Sequence, residues 1–486
     1  MLRQICMLRL PHACTRASLP RQRWRVSYGL AFVIGLSSAV LAAFSLSRSQ
    51  HSFSDMLRQG FTESVGCSVP RRGWNNSMAP RLQASVIAAL REPVVLINSP
   101  CDTWRARFTW RPLAGKGGDY LSRRVINPLR DVVAQRGSRS FRYSAGGTPL
   151  SDTFAALDDV TVELSLAKLL IKATRSPVDN EEYLYYSRSV VGGEFAPVAS
   201  DLEPHDFLFV DRAQAGNSTN VWLGGQGVIT ETHYDMSHNF YLQLDGTKRF
   251  VLSPPASYRQ LKLHPWIHPH SIFTRQGVED AHLPSSFDVD LAAGELLYIP
   301  PYWFHRVIAP RGHASISVNI WSESQEGELA GLTDVPPPSG LFDTKSERTR
   351  RALLEHVIRA LLRAVLRLRD RGAQDAFLRA ALVDGRLRPH FALLRCTDDL
   401  LHESCEATGS DDEHVLLDEK AVANAHATHV ARVFAALAQQ DIAVHEIVML
   451  NMIESLATDV LGDGSATDGS RGLGSCAFFR CMVLMF

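Results

Sequence analysis

The chain has few cysteines and no excess of charge of either sign. Its eight cysteines among 486 residues include no pair in C-x-x-C spacing, the spacing typical of zinc modules and dithiol redox sites, so neither is indicated. Lysine plus arginine number 51, as do aspartate plus glutamate, and the formal net charge is zero. Because no basic excess attracts the chain to phosphates, we expect no nucleic-acid partner.

The N-terminal region lacks acidic residues before Asp55 but contains many arginines. An uncharged stretch from Ser27 to Ser47 follows most of these arginines, and as a helix it would reach about 30 Å, enough to cross a bilayer. We therefore predict a transmembrane helix that acts as a type II membrane anchor, with the catalytic domain in the lumen of the secretory pathway. A mitochondrial or plastid transit peptide is the alternative, since such peptides are also arginine-rich and acid-poor.

The length favours one main domain with accessory segments, because a single hydrophobic core rarely serves so many residues. The composition, 45% hydrophobic and 21% charged, is that of a globular protein. Changes in composition along the chain predict five parts. These are an Arg-rich targeting segment at 1–50, a stalk at 51–81, a catalytic domain at 82–325, a helical C-terminal region at 340–461, and a linker with an apolar tail at 462–486.

Short runs of strand-forming residues, separated by Gly, Pro and Asp turns, begin near Asn220. In the run from Ala314 to Trp321, serines and an asparagine alternate with Ile and Val, which is the period of a strand with one polar face. Many short strands with tight turns are typical of a jelly roll. We predict a mainly β fold, a double-stranded β-helix with helical N- and C-terminal additions.

The character of the sequence changes to helix after Pro338. Apolar residues between Leu353 and Leu366 recur at i, i+3 and i+4, with arginines on the other face. We favour packing of this helix on its own barrel. The alternative is that the C-terminal helices form the interface of a homodimer.

His233, Asp235 and His305 are the candidate metal ligands. His233 and Asp235 are two residues apart in a predicted strand and so share one face, and His305 follows a later predicted strand. Two imidazoles and one carboxylate, with other positions left open, form the facial triad of a non-haem Fe(II) oxygenase. Lys248 starts a neighbouring strand, where a buried lysine would need an anionic partner.

Three further histidines, His264, His268 and His270, lie close together with two prolines. In a loop at this position we expect them to cap turns. A second metal site is the alternative.

The segments WLGGQGVITETHYD, SHNFYLQLDGTKRFVLSPP, GELLYIPPYWFHRV and ASISVNIW together resemble the JmjC-domain, or cupin-like, Fe(II)- and 2-oxoglutarate-dependent oxygenases. The resemblance covers about residues 82–325. It is closest to the compact protein-hydroxylase branch that includes the asparaginyl hydroxylase acting on hypoxia-inducible factor, in which the spacing from the first histidine to the lysine is similar.

The resemblance implies a role for each candidate site residue. Fe(II) would be bound by His233, Asp235 and His305, the catalytic residues. The co-substrate 2-oxoglutarate would be bound by Lys248, Thr230, Tyr185, Asn239 and Asn319, with Lys248 at its distal carboxylate and the two asparagines near its metal-bound end.

The implied reaction is that of a dioxygenase, which uses dioxygen and 2-oxoglutarate to hydroxylate an amino-acid side chain in a protein substrate. Two alternatives use the same iron chemistry, namely N-methyl-lysine demethylation and RNA-base hydroxylation. A third alternative is a cupin-like binding or scaffold protein without catalysis, which would not require an intact triad together with Lys248.

Overall fold

The computed structural model describes most of the chain from Cys67 onward. The described residues are 67–108, 120–136, 138–142, 160–174, 182–203, 205–210, 217–275, 283–312, 314–334, 340–343, 345–390, 417–437, 441–461 and 478. The predicted targeting segment at 1–50 lies outside the described residues, as do 51–66 of the predicted stalk and all of the linker and apolar tail except residue 478. The five predicted domain boundaries remain predictions.

Fifteen strands occur among the described residues. They are β1 Cys67–Ser68, β2 Arg71–Gly73, β3 Val94–Ile97, β4 Leu129–Arg136, β5 Ser140–Phe141, β6 Thr161–Leu164, β7 Glu182–Ser189, β8 Ser218–Gly224, β9 Ile229–Tyr234, β10 His238–Asp245, β11 Thr247–Ser253, β12 Phe287–Ala292, β13 Leu296–Ile299, β14 Phe304–Ile308 and β15 Ser315–Ser322.

Ten α-helices occur in the same part of the chain. They are α1 Pro80–Ala88, α2 Asp102–Phe108, α3 Tyr120–Arg124, α4 Leu166–Thr174, α5 Tyr258–Leu261, α6 Gln325–Ala330, α7 Glu347–Val365, α8 Arg371–Phe377, α9 Leu417–Leu437 and α10 Ile442–Leu461. A π-helical stretch, Leu378–Leu387, and a 3-10 turn, Arg388–His390, follow α8.

The strands form two facing sheets. One contains the order β12-β11-β14-β9-β5, and the other has the order β2-β3-β13-β10-β15-β8-β7-β4-β6. From β8 to β15 the chain passes repeatedly from one sheet to the other, which is the winding of a jelly roll. The predicted double-stranded β-helix with helical additions is confirmed.

Apolar side chains from both sheets fill the space between them. Phe250 and Leu252 of β11 meet Leu297 of β13 and Tyr241 of β10 in one buried cluster. These positions are two apart within each strand and so share its inner face. In β15, the strand predicted from alternation, Ile316, Val318 and Ile320 pack in a different buried cluster, whereas Ser317 contacts Tyr241 and Asn319 lines the pocket.

His305 follows β13 and the Pro300–Pro301 segment, as the sequence analysis expected. It is also the second residue of a further strand, β14, and pairs directly with His233 of β9. The sequence analysis did not predict β14, because its residues, FHRVI, are buried at four of five positions and show no clear alternation of apolar and polar residues.

The long amphipathic helix α7 buries its apolar stripe within the chain. Leu354, Val357 and Leu361 are at most 1% exposed and belong to one cluster with residues of α9 and α10. The apolar stripe of α7 therefore packs within the chain. The structure does not support the alternative, a homodimer interface on this helix.

The prediction of a membrane-anchored protein is contradicted. Among the described residues, no helix is both long and apolar enough to cross a bilayer. The stretch from Ser27 to Ser47 that motivated the prediction lies outside the described residues.

Candidate active site

The structure brings the three candidate ligands together between β9 and β14. The Nε2 atom of His305 lies 3.6 Å from Oδ2 of Asp235, and the rings of His233 and His305 have centroids 4.1 Å apart. One ligand atom from each residue lies within 4.8 Å of the others. Adjacent ligands of an octahedral ion with bonds of about 2.1 Å are separated by roughly 3 Å, so a small inward shift suffices for binding.

Backbone carbonyls orient both imidazoles. The Nδ1 atom of His233 is 2.7 Å from the carbonyl oxygen of Glu231, and Nδ1 of His305 is 3.0 Å from the carbonyl oxygen of Trp303. Since a carbonyl oxygen can only accept, both Nδ1 atoms carry the proton and donate it. This leaves the Nε2 lone pair of each ring available, which is the arrangement that metal-binding histidines commonly have.

Burial keeps His233 in its neutral, ligating form. Desolvation, and then the neighbouring His305, lower the pKa of His233 to about 3. Neutral imidazole is the form that binds a metal ion, so no proton has to be displaced from this ring at neutral pH. The side chains of both histidines are 4% exposed or less, whereas Asp235 is open to solvent at about 11%.

A β-bulge places Thr230 on the same side as the ligands. Strict alternation would turn Thr230 away from His233, since they are three residues apart. The register, however, pairs His305 with His233 and Val307 with Thr230, so β9 has one extra residue between these pairs. A bulge of this kind re-aims side chains. Its result is that the hydroxyl of Thr230 donates to the Tyr185 hydroxyl across 3.2 Å.

The two candidate asparagines are neighbours of the triad and of each other. Asn239 donates to Asp235 across 3.1 Å and accepts from the side-chain amide of Asn319 across 3.3 Å. The indole N–H of Trp222 donates to Asn319 at 2.7 Å. This network fixes which side of each amide is a donor and holds the Asp235 carboxylate in position.

Lys248 is buried beside the site but does not itself line the pocket. Its ammonium donates to the Tyr241 hydroxyl across 2.6 Å, and that hydroxyl is 2.7 Å from Oγ of Ser317. Lys248 is 2% exposed, and desolvation lowers its pKa to about 7. Within the described part of the chain it has no ion pair. A lysine buried in this way is costly without an anion, so its surroundings fit a carboxylate-bearing ligand.

The pocket contains residues that the sequence analysis did not single out. Its cavity volume is about 20 Å³, room for little more than one water molecule, so side chains that line it must move to admit a larger ligand. Its lining residues are Tyr185, Trp222, Thr230, His233, Asp235, Asn239, Tyr241, Phe250, His305, Val307, Asn319 and Trp321. Tyr241 could have been found, since it lies two residues from Asn239 on the same strand. Trp321 also forms a wall of the pocket.

Comparisons with known proteins agree with this geometry. Residues 80–327 match the family described as cupin-like domain. The lysine-specific demethylase JMJ30 of Arabidopsis thaliana is 27% identical over 239 residues, covering 47% of this chain and 49% of that protein. The Jumonji C domain-containing protein 5 of Drosophila melanogaster is 25% identical over 248 residues, covering 48% of this chain and 55% of that protein.

The name of a third relative refers to tRNA. The tRNA wybutosine-synthesizing protein 4 of Neurospora crassa is 29% identical over 232 residues, which cover 43% of this chain and 17% of that protein. The matched region thus spans about half of the first two relatives and less of the third. The match to the family covers half of the chain and includes the whole candidate site. The chain belongs to the cupin-like domain family.

Proposed function

We propose that His233, Asp235 and His305 hold Fe(II), and that the chain uses 2-oxoglutarate and dioxygen to demethylate N-methyl-lysine in a protein. The observation that supports this proposal most strongly is the three-ligand cluster with both Nε2 atoms available, next to a buried lysine for which the described residues offer no counter-ion. When bound, Fe(II) supplies oxidative decarboxylation of 2-oxoglutarate coupled to oxidation of a substrate C–H bond.

The residues of this chain position the co-substrate. Lys248, together with the hydroxyl of Tyr241, neutralises the distal carboxylate of 2-oxoglutarate, and Thr230 and Tyr185 add hydrogen bonds from neighbouring hydroxyls. Asn239 and Asn319 hold the metal-bound end. The aromatic walls of Trp222 and Trp321 exclude water around the reacting groups, which strengthens each electrostatic contact.

The choice of demethylation rests on the relatives. Three relatives named lysine-specific demethylase, JMJ30, JMJ31 and JMJ32 of Arabidopsis thaliana, are similar to 47%, 26% and 29% of this chain. Our expectation from the sequence was side-chain hydroxylation, and one observation still favours it. The spacing of fifteen positions from His233 to Lys248 resembles the spacing in the compact hydroxylases. Hydroxylation is therefore the second candidate.

The products separate these two reactions. The full chain, loaded anaerobically with Fe(II) and then given 2-oxoglutarate and oxygen, is incubated with matched peptides that carry unmethylated or N-methylated lysine. Demethylation predicts loss of a methyl group and release of formaldehyde from the methylated peptides alone. Hydroxylation predicts gain of one oxygen atom by a peptide that retains its methyl groups. Asp235→Asn is the control for reactions that do not need the triad.

The demethylase proposal is contradicted if methylated peptides are unchanged while a peptide or protein gains oxygen in a triad-dependent way. Gain of oxygen by an RNA base would instead favour the RNA-base alternative, to which the tRNA wybutosine-synthesizing relative draws attention.

A further inference from the structure

A second group of histidines lies outside the active site, where the helical C-terminal region meets the barrel. His264 and His268 belong to the segment that connects β11 to β12, and His390 ends the 3-10 turn after the π-helical stretch. One ring nitrogen from each lies within 4.8 Å of the other two. All three side chains are buried, with exposures of 6%, 3% and 8%.

His264 is at the centre of this group. Its ring stacks on that of His268, with centroids 4.1 Å apart and planes at 20°, and it lies 5.4 Å from the ring of His390. Neither ring nitrogen of His264 has a hydrogen-bond partner in the described part of the chain. A neutral imidazole has one donor and one acceptor, and burying both unsatisfied costs free energy. Among the described residues, both ring nitrogens of His264 are therefore available to bind a ligand.

The three imidazoles are in the form that binds metal ions. Burial, more than any neighbouring charge, lowers the pKa of His268 to about 3 and that of His390 to about 4. They are thus neutral at physiological pH, as ligation requires. The Nδ1 atom of His268 accepts a hydrogen bond of 3.0 Å from the backbone N–H of His270, so in the neutral ring Nε2 carries the proton. His268 would therefore bind a metal ion through Nδ1 in place of this hydrogen bond, or through Nε2 after the proton has moved to Nδ1 and the hydrogen bond has broken.

Two arginines lie close enough to the three histidines to repel a bound cation. Arg142 lowers the pKa of His264 and His268, and Arg275 lowers that of His390. Arg142, however, is paired with Glu231 at 2.5 Å, which offsets its charge. The group itself contains only nitrogen donors and no carboxylate. An all-imidazole set suits Zn²⁺ better than Ca²⁺ or Mg²⁺, which prefer oxygen.

We propose that His264, His268 and His390 form a second metal centre that binds Zn²⁺, with water or another small ligand in the fourth position. The centre joins two parts of the molecule that are more than a hundred residues apart in sequence. It also fixes the segment that bears Phe273, whose ring stacks on His233 at 4.9 Å. Its role is therefore structural, and it supports the iron site from outside.

The number of zinc ions bound by the full chain tests this proposal. Metal-free protein is titrated with Zn²⁺ against a chromogenic chelator, and bound metal is counted after gel filtration. We expect two ions per wild-type chain, since the triad also binds Zn²⁺. We expect one ion in the double variant His233→Ala/Asp235→Ala, which lacks triad ligands, and one in His264→Gln. Far-UV circular dichroism of each variant separates loss of a site from loss of the fold.

Further variants make the result specific. His390→Gln removes a ligand from the other part of the chain and should lose the same ion as His264→Gln. His445→Gln, a half-buried histidine of α10 outside the group, should keep both. X-ray absorption of the zinc-loaded double variant should show nitrogen ligands at about 2.0–2.1 Å. The proposal is overturned if the folded double variant binds no zinc, or if His264→Gln still binds two ions.

Discussion

At the scale of single residues, Lys248 carries most of the argument for an anionic co-substrate. Its ammonium is almost fully buried, contacts only the neutral hydroxyl of Tyr241 in the described part of the chain, and has a pKa lowered to about 7. Proteins rarely maintain a buried charge without a partner, so a carboxylate ligand would complete the site.

Lys248→Ala should weaken 2-oxoglutarate binding by about 3–5 kcal/mol, because it leaves the distal carboxylate buried and unpaired. Anaerobic calorimetry on Fe(II)-loaded protein measures the effect as a rise in Kd. Lys168→Ala, which removes an exposed lysine of α4, should have no effect. An unchanged Kd in Lys248→Ala would remove Lys248 from the co-substrate site.

The affinity for 2-oxoglutarate should fall as the pH rises above about 7. Without ligand the pKa of Lys248 is about 7, and binding of an anion favours the protonated form and so raises this pKa. Above pH 7 the ligand must therefore bind together with a proton, and Kd should increase up to tenfold per pH unit. Below pH 7 Lys248 is already charged, so Kd should no longer change with pH on its account. Calorimetry from pH 6 to 9 should give this profile in wild type, and a flat one in Lys248→Ala.

Thr230→Val should weaken 2-oxoglutarate binding by about 1 kcal/mol, since it deletes one neutral hydroxyl from the pocket. The neighbouring Thr232 accepts from Arg306 across 3.2 Å and does not line the pocket. Thr232→Val is thus a matched control whose Kd should stay close to that of wild type. The same calorimetry compares the two variants, and equal effects would argue that Thr230 acts through the strand rather than on the ligand.

At the scale of elements, the segment between β11 and β12 links the barrel to the helices. Glu454 of α10 accepts from the backbone N–H of Trp266 in this segment across 2.5 Å and pairs with Arg386 at 2.9 Å. Glu454 and Arg386 have side chains only 1% and 3% exposed. The buried pair thus holds α10 and the π-helical stretch against the segment that carries His264 and Phe273.

Glu454→Ala should lower the free energy of unfolding by about 3–5 kcal/mol, because Arg386 is left as an uncompensated buried charge. Glu446, two turns earlier on the same helix, pairs with Arg259 in a more exposed place. Glu446→Ala should cost about 1 kcal/mol or less. Denaturant unfolding monitored by circular dichroism compares the two. Equal losses would mean that burial of the Glu454 pair is not what stabilises this junction.

The sequence analysis found the site candidates that lie close together along the chain. His233 lies in β9, Asp235 follows the end of that strand, and Asn239 lies in β10. The sequence analysis could not predict the bulge that turns Thr230 inward, because an extra residue in a strand leaves no periodic signal. His390 was missed for a related reason. It lies more than a hundred residues from His264 and His268, so only the folded chain brings the three together.

At the scale of the whole molecule, the jelly roll and the family could be predicted from the order of strands and motifs. The role of the N-terminal segment could not. An uncharged stretch of some 20 residues is long enough to suggest a membrane span, and this stretch lies outside the described residues. The predicted anchor is contradicted only by the finding that no described helix is both long and apolar enough to cross a bilayer. The substrate could not be predicted from sequence patterns either, because its recognition depends on the shape of the pocket mouth.

The central claim is that this chain is an Fe(II)- and 2-oxoglutarate-dependent oxygenase. Its most direct test is conversion of 2-oxoglutarate to succinate by the full chain after anaerobic loading with Fe(II), measured on admission of oxygen without added substrate. We predict slow succinate formation in wild type and in His429→Ala, an exposed control, and none in His233→Ala. Folded, iron-loaded protein that neither binds 2-oxoglutarate nor forms succinate would contradict the claim and favour a cupin-like scaffold without catalysis.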